Sequence, residues 1–208
     1  MQRPQHSSST RLQPLRYFSI MTKPKFIGLT GLAGSGKDSV RSILELDYHA
    51  QGLALADPIR DMLLTLMETS GVSTQYGTRR ELKESISELG YSYRQLAQTL
   101  GTEWGRLALR PDFWTGIADL RIREFCVDTF NPTTFVVSDI RYSTEAEWLR
   151  AKGGVIWEIR RPDAQEVRAH SSESGIDQSL VDQIILNDGT LSDLPDLVRS
   201  AWEASCTN

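Results

Sequence analysis

A glycine-rich turn near the start of the chain sets its architecture. Gly31-Leu32-Ala33-Gly34-Ser35-Gly36-Lys37-Asp38 has GxxxxGK spacing and lies between two contrasting segments. Before it, Phe26-Ile27-Gly28-Leu29-Thr30 is a short apolar run of strand type. After it, Ser39 to Leu46 carries Val40, Ile43 and Leu44 at helical spacing. A strand that breaks into glycines and re-forms as a helix turns its backbone N–H groups inward at the helix N-terminus, where partial positive charge gathers. The glycine order is GxxGxGK and not GxGxxG, and the lysine selects a nucleoside triphosphate over a dinucleotide. Lys37 then reaches the β- and γ-phosphates.

From Lys25 onward, strand-like and helix-like segments alternate. Strands are expected at 53–56, 135–137, 154–159 and 184–186, and helices at 59–67, 93–109, 113–125, 145–152 and 191–204. The helix over 93–109 would carry Leu96, Leu100 and Trp104 on one face. This alternation predicts an α/β fold, a parallel central sheet covered on both faces, with ligands at the carboxyl ends of the strands. Composition agrees: 39% hydrophobic and 24% charged residues suit a globular chain. A net charge of −4 argues against sequence-blind nucleic-acid binding. No apolar run approaches a membrane span. Two cysteines, Cys126 and Cys206, lack metal-site spacing and fit a reducing compartment. Residues 1–20 hold three Arg, four Ser, two Pro and no acid. They read as a tail, or as sequence upstream of a start at Met21. The same composition marks organelle transit peptides, but Pro4 and Pro14 interrupt an amphipathic helix.

Two carboxylates belong with the glycine turn. Asp38 replaces the usual hydroxyl after the lysine; it either meets Mg²⁺, directly or through water, or caps the helix. Phe135-Val136-Val137-Ser138-Asp139 is an apolar strand ending in an acid, the pattern that sets a carboxylate beside the metal. Arg141 lies at the same strand end.

The motifs GLTGLAGSGKDSV (28–40), LADPIRDML (55–63), SYRQLAQTLGTEWGR (92–106), FVVSDIRYSTEAEWLRAKGGVIWEIRRPD (135–163), HSSE (170–173) and ILNDGTLSDL (185–194) resemble the deoxynucleoside monophosphate kinases of tailed bacteriophages. GKD in place of GKS or GKT is itself a feature of that family. The resemblance implies a P-loop NTPase three-layer sandwich over residues 21–208, with an acceptor-binding helical insertion at about 56–112 and a lid at about 160–178. It implies transfer of the γ-phosphoryl of ATP to a dNMP with Mg²⁺, in the host cytoplasm if phage-encoded. Its partners are the two substrates, with a homodimer allowed and no nucleic acid or membrane. ATP would meet Gly34, Ser35, Gly36, Lys37, Asp38, Ser39 and Arg161, with Asn187, Asp188 and Gly189 at the adenine end. The acceptor would meet Asp57, Arg60, Lys83, Tyr93, Arg94, Gln98, Arg106, Asp139 and Arg141. Lys37, Arg94 and Arg141 would act in catalysis, and Asp38 and Asp139 would serve the metal. Trp104 or Trp114 could stack on a base, residues 71–92 suit a flap, and His170 reads as a lid hydrogen-bonder. Two other readings compete: a small-acceptor kinase similar to dephospho-CoA kinase, and an NTP-dependent switch without an acceptor.

Overall fold

Phe26–Thr30 is buried at every position and forms β1. It is the central strand of a five-stranded sheet in which all four pairings are parallel. The computed structural model describes residues 25–128, 134–162 and 175–206. The other strands are β2 (Gln51–Leu53), β3 (Phe135–Val137), β4 (Val155–Arg160) and β5 (Gln183–Leu186), in the order β2-β3-β1-β4-β5.

Side-chain alternation along the strands builds a core on each face. Phe26, Phe135, Val137 and Ile156 point to one side. There they meet α2 (Asp57–Thr69), α5 (Phe113–Asp128) and α6 (Ser143–Ala151) through Leu63, Met67, Ile122 and Leu149. Ile27, Leu29, Val136, Trp157 and Ile159 point to the other. Those pack on α1 (Lys37–Tyr48) and α7 (Leu194–Cys206) through Val40, Leu44 and Val198. The expected three-layer α/β sandwich is therefore present. No helix among the described residues is long and apolar enough to cross a membrane.

Two elements differ from the sequence expectation. The second strand, expected at 53–56, pairs with β3 only over Gln51–Leu53. Beyond Leu53 the amides leave the ladder for carboxylates: Ala54 N–H goes to Asp57 Oδ2 at 3.0 Å, and Asp139 takes Leu55 N–H at 2.8 Å and Ala56 N–H at 2.9 Å. The helix expected over 93–109 is α-helical only as α4 (Tyr93–Gln98), then continues as a π-helix, Thr99–Leu109. The wider winding lays Gly101 against Ile59 and Gly105 against the Trp114 indole. A methyl at Gly105 would fall 2.5 Å from Trp114 Nε1. Trp114 Nε1 also donates to the Gly101 carbonyl at 2.7 Å. Such π segments recur where helices line functional sites.

Residues 71–92 are more ordered than a loose flap. Short α3 (Gln75–Thr78) is followed by a 3₁₀ turn at Arg80–Leu82. Gly77 is buried against the Tyr93 ring, and Ile86 bridges Ser92. Arg94 N–H donates to the Lys83 carbonyl at 3.0 Å. The tail 1–20 and most of the expected lid, including His170, lie outside the described residues.

Candidate active site

The glycine turn leaves β1 and enters α1 with Gly31, Gly34 and Gly36 at φ of 131°, 80° and 106°. These left-handed values are open to glycine and strained for other residues. At Gly31 the loop passes so close to β4 that a Cβ would lie 2.3 Å from the Ile159 carbonyl. Lys37 folds back over the loop, donating to the Gly31 and Leu32 carbonyls at 2.7 and 2.8 Å. Asp38 is exposed in the first turn of α1, where a negative charge suits the helix N-terminus.

Asn187 stands behind this loop. It is buried, and its Nδ2 donates to the Ser35 carbonyl at 2.8 Å. A methyl on Gly36 would fall 2.4 Å from the same nitrogen. One N–H of its amide is thus engaged with the loop backbone. Asp188 and Gly189 follow on the surface.

Two adjacent loop residues open onto two different cavities. Leu32 lines one of about 380 Å³ with Glu158, Arg160, Arg161, Pro162 and Leu186 at the ends of β4 and β5. Ala33 lines another of about 260 Å³, enclosed by α4, the π-helix and the segment after β3. The sequence-expected residues Lys83, Tyr93, Arg94, Gln98, Arg106, Asp139 and Arg141 all line this second cavity, as does Trp114.

Asp57 and Arg60 are placed differently. Asp57 Oδ2 accepts from Ala54 N–H at 3.0 Å, and Arg60 pairs with Asp57 Oδ1 at 3.1 Å with half its side chain exposed. Neither lines the cavity; they close the turn into α2. Trp104 also lies outside the cavity lining, packed edge-on to Phe113.

The cavity's electrostatics rest on two buried acids. Asp139 takes the two amide bonds described above; burial raises its pKa despite those bonds and Arg141 nearby. Glu145 is a site residue that the sequence reading misses. Its Oε2 accepts from Arg141 N–H at 2.8 Å and Tyr142 N–H at 3.1 Å, and its Oε1 from Arg106 at 3.0 Å. Burial raises its pKa to about 7 against these bonds, with the Asp139 charge adding to the rise. Arg106 is held on three sides: by Glu145, by Thr144 Oγ1 at 3.1 Å, and by the Tyr142 ring 3.7 Å away. Arg94 pairs with Glu84. Burial and the like charges of Arg60 and Arg94 lower the Lys83 pKa. The sequence does carry one signal for Glu145: it stands three residues after the N-cap Tyr142 of α6, the place from which a glutamate reaches back to the N-cap amide.

Residues 72–198 match the model of the deoxynucleotide monophosphate kinase family. A deoxynucleotide monophosphate kinase of Enterobacteria phage T4 is 24% identical over 82% of this chain and 95% of its own length. The Escherichia phage RB69 protein of that name is 29% identical over 54% of this chain, a match spanning about half (46%) of that relative. A protein of Acanthamoeba polyphaga mimivirus is 31% identical over 71% of this chain and 79% of its own length. Among solved structures, TT1252 from Thermus thermophilus aligns with a TM-score of 0.48 at 19% identity, covering 89% of this chain and 98% of that one. Dephospho-CoA kinase from Campylobacter jejuni aligns at 0.42 and 14%, covering 87% and 97%.

Proposed function

The chain belongs to the deoxynucleotide monophosphate kinase family, and on that premise we propose that it moves the γ-phosphoryl of ATP onto a deoxynucleoside monophosphate, giving ADP and dNDP. The observation that carries the residue assignment is the position of the glycine turn between two cavities, with Leu32 in one and Ala33 in the other. A phosphate chain lying on the turn would have its nucleoside in the first and its terminal phosphoryl facing the second.

The donor's phosphates take the loop amides from Gly34 to Ser39 together with Lys37, whose two carbonyl bonds exchange for phosphate oxygens. Arg161 lies at the nucleoside end, with Asn187 holding the loop from behind. In the acceptor cavity, Lys83, Arg94, Arg106 and Arg141 face the monophosphate and base. Arginine's planar fork suits bidentate phosphate contacts. Tyr93, Gln98 and Trp114 supply its walls. Phosphoryl transfer asks for alignment and charge neutralisation more than proton chemistry, and four cations around one acceptor supply both.

Mg²⁺ fits the donors present. Asp38 exposes its carboxylate at the loop exit, and each Asp139 oxygen keeps a lone pair beyond its amide bond. That matches an ion that takes one or two carboxylates and completes its shell with phosphate oxygens and water. When bound, Mg²⁺ neutralises phosphate oxygens of the donor.

The test is ADP release from purified protein and MgATP against dTMP, dGMP, dCMP, dAMP, the matching ribonucleotides and dephospho-CoA, with Lys37→Ala beside it. Turnover that requires a dNMP and disappears in the variant supports the assignment. Turnover with dephospho-CoA alone, or ATP loss that no acceptor accelerates, overturns it.

A further inference from the structure

The 3₁₀ turn after α3 brings a cation to the phosphate loop that neither the glycine motif nor the acceptor cavity accounts for. Arg80 opens that turn, and its guanidinium lies against the loop. Among the described residues, apart from Gly34 and its two chain neighbours, only its Nη2 falls within 4 Å of a methyl placed on Gly34, at 3.5 Å. Gly34 follows Ala33, the loop residue that lines the acceptor cavity.

The arginines nearby are committed. Arg79 pairs with Glu81 at 2.6 Å, Arg60 with Asp57 at 3.1 Å, and Arg94 with Glu84. No carboxylate is paired with Arg80 among the described residues. Arg80 and Lys83 lie within electrostatic reach of each other, and Asp38 at the loop exit acts against that repulsion at Lys83. Unpaired like charges brought together cost folding energy, and an anion seated between turn and loop would recover it. The turn is also fixed in place: Gly77 is pressed on Tyr93, and Arg94 N–H reaches the Lys83 carbonyl.

From this juxtaposition we infer that Arg80 is a catalytic residue that contacts the phosphoryl group in flight, an arginine supplied in cis from the acceptor-side turn. The inference rests on the kinase reading above. In the step it serves, an oxygen of the acceptor's phosphate forms a bond to Pγ while the bond from Pγ to the β–γ bridging oxygen breaks. The electron pair of that bond leaves with ADP, and no proton need move. Negative charge builds on the bridging and equatorial oxygens, beside which the Arg80 guanidinium lies. Donors aimed at charge that develops only in the transition state raise kcat more than they tighten binding.

The experiment compares the wild-type chain with Arg80→Ala, Arg80→Lys and Arg79→Ala under saturating MgATP and each dNMP. Arg80→Ala should lose about a hundredfold or more in kcat, with either KM changed less than about threefold. Arg80→Lys should recover part of the loss, and Arg79→Ala, which removes the same charge one residue away, should stay within about twofold of wild type. A binding measurement guards against a folding defect. MgADP with fluoroaluminate and the acceptor should bind wild type much more tightly than MgADP alone. Arg80→Ala should lose that gain while holding MgADP as before. Full kcat in Arg80→Ala, or an equal loss in Arg79→Ala, overturns the inference and leaves the kinase reading intact. Failure of the wild type to turn over any dNMP removes the kinase reading itself.

Discussion

The substitution Glu145→Gln should change the pH dependence of folding in a direction opposite to the one a buried ion pair suggests. Glu145 accepts three hydrogen bonds, one of them from a nearly buried arginine, and these contacts alone would make ionisation stabilise the fold. Burial is the larger effect and raises its pKa from 4.5 to about 7. The folded state therefore holds this proton more tightly than the unfolded state does. The stability it contributes is fully present below about pH 4.5 and is lost as pH rises through about 7. A tenfold change in proton affinity corresponds to about 1.4 kcal/mol, so the total swing is about 3 kcal/mol, of which about 2.5 kcal/mol falls between pH 5 and pH 8. The glutamine of the variant would keep an acceptor for the Arg141 and Tyr142 amides and cannot ionise. The variant should start less stable at pH 5, because its NH₂ group faces Arg106. It should then gain on wild type by about 2.5 kcal/mol by pH 8. Urea unfolding of both proteins at half-unit intervals measures that difference, and the slope is the test, since the cost of crowding Arg106 shifts only the intercept. A variant that instead loses ground to wild type as pH rises would show that the Arg106 pairing outweighs desolvation and would refute the reasoning.

Three further substitutions probe the supports of the loop and cavity. Asn187→Ala leaves the Ser35 carbonyl without its donor, a loss of about 1–3 kcal/mol. It should raise the KM for ATP about tenfold while the acceptor KM holds, as read from steady-state kinetics. Gly36→Ala adds a methyl 2.4 Å from Asn187 Nδ2 at a φ of 106°, so titration calorimetry should find MgATP affinity reduced at least about tenfold. Gly77→Ala sets a methyl 2.6 Å from Tyr93 Cε2 and 3.0 Å from Leu64, overpacking worth about 1–3 kcal/mol. It should raise the acceptor KM and leave the ATP KM within about twofold, a pattern that equal changes in both would contradict.

What is legible in the sequence, and what is hidden, divides by the range of the interactions involved. The strand, glycine turn and helix around Lys37 depend on neighbours within a few residues, and β1 and α1 appear where local pattern places them. The alternation of strands and helices predicts the parallel sheet for the same reason. The early end of β2 has one local and one distant cause: Ala54 N–H turns to Asp57 three residues on, and the two amides after it are taken by a carboxylate more than eighty positions on. No window around Leu55 contains Asp139. Asn187 is similar, since an Asn-Asp-Gly turn looks like an ordinary surface turn until its side chain is seen reaching Ser35 across the sheet. The π winding of Thr99–Leu109 goes with Trp114 and Ile59 packing on two glycines, which apolar periodicity counts as gaps.

The same division explains why the acids of the acceptor cavity are harder to read than its arginines. A cation near an expected phosphate has an obvious role, whereas a carboxylate there acts through a metal ion or through the protein groups it holds. Here Asp139 ties the start of the acceptor region to the end of β3, and Glu145 fixes both the Arg141 backbone and the Arg106 guanidinium. Held this way, Arg106 has less rotamer freedom to lose when an anion arrives, and on the proposed function that saving would go to alignment of the acceptor. Desolvating the two acids costs stability, as their raised pKa values show. On the proposed function, Arg106 and Arg141, which Glu145 holds through a guanidinium and a backbone amide, are groups that would meet the acceptor.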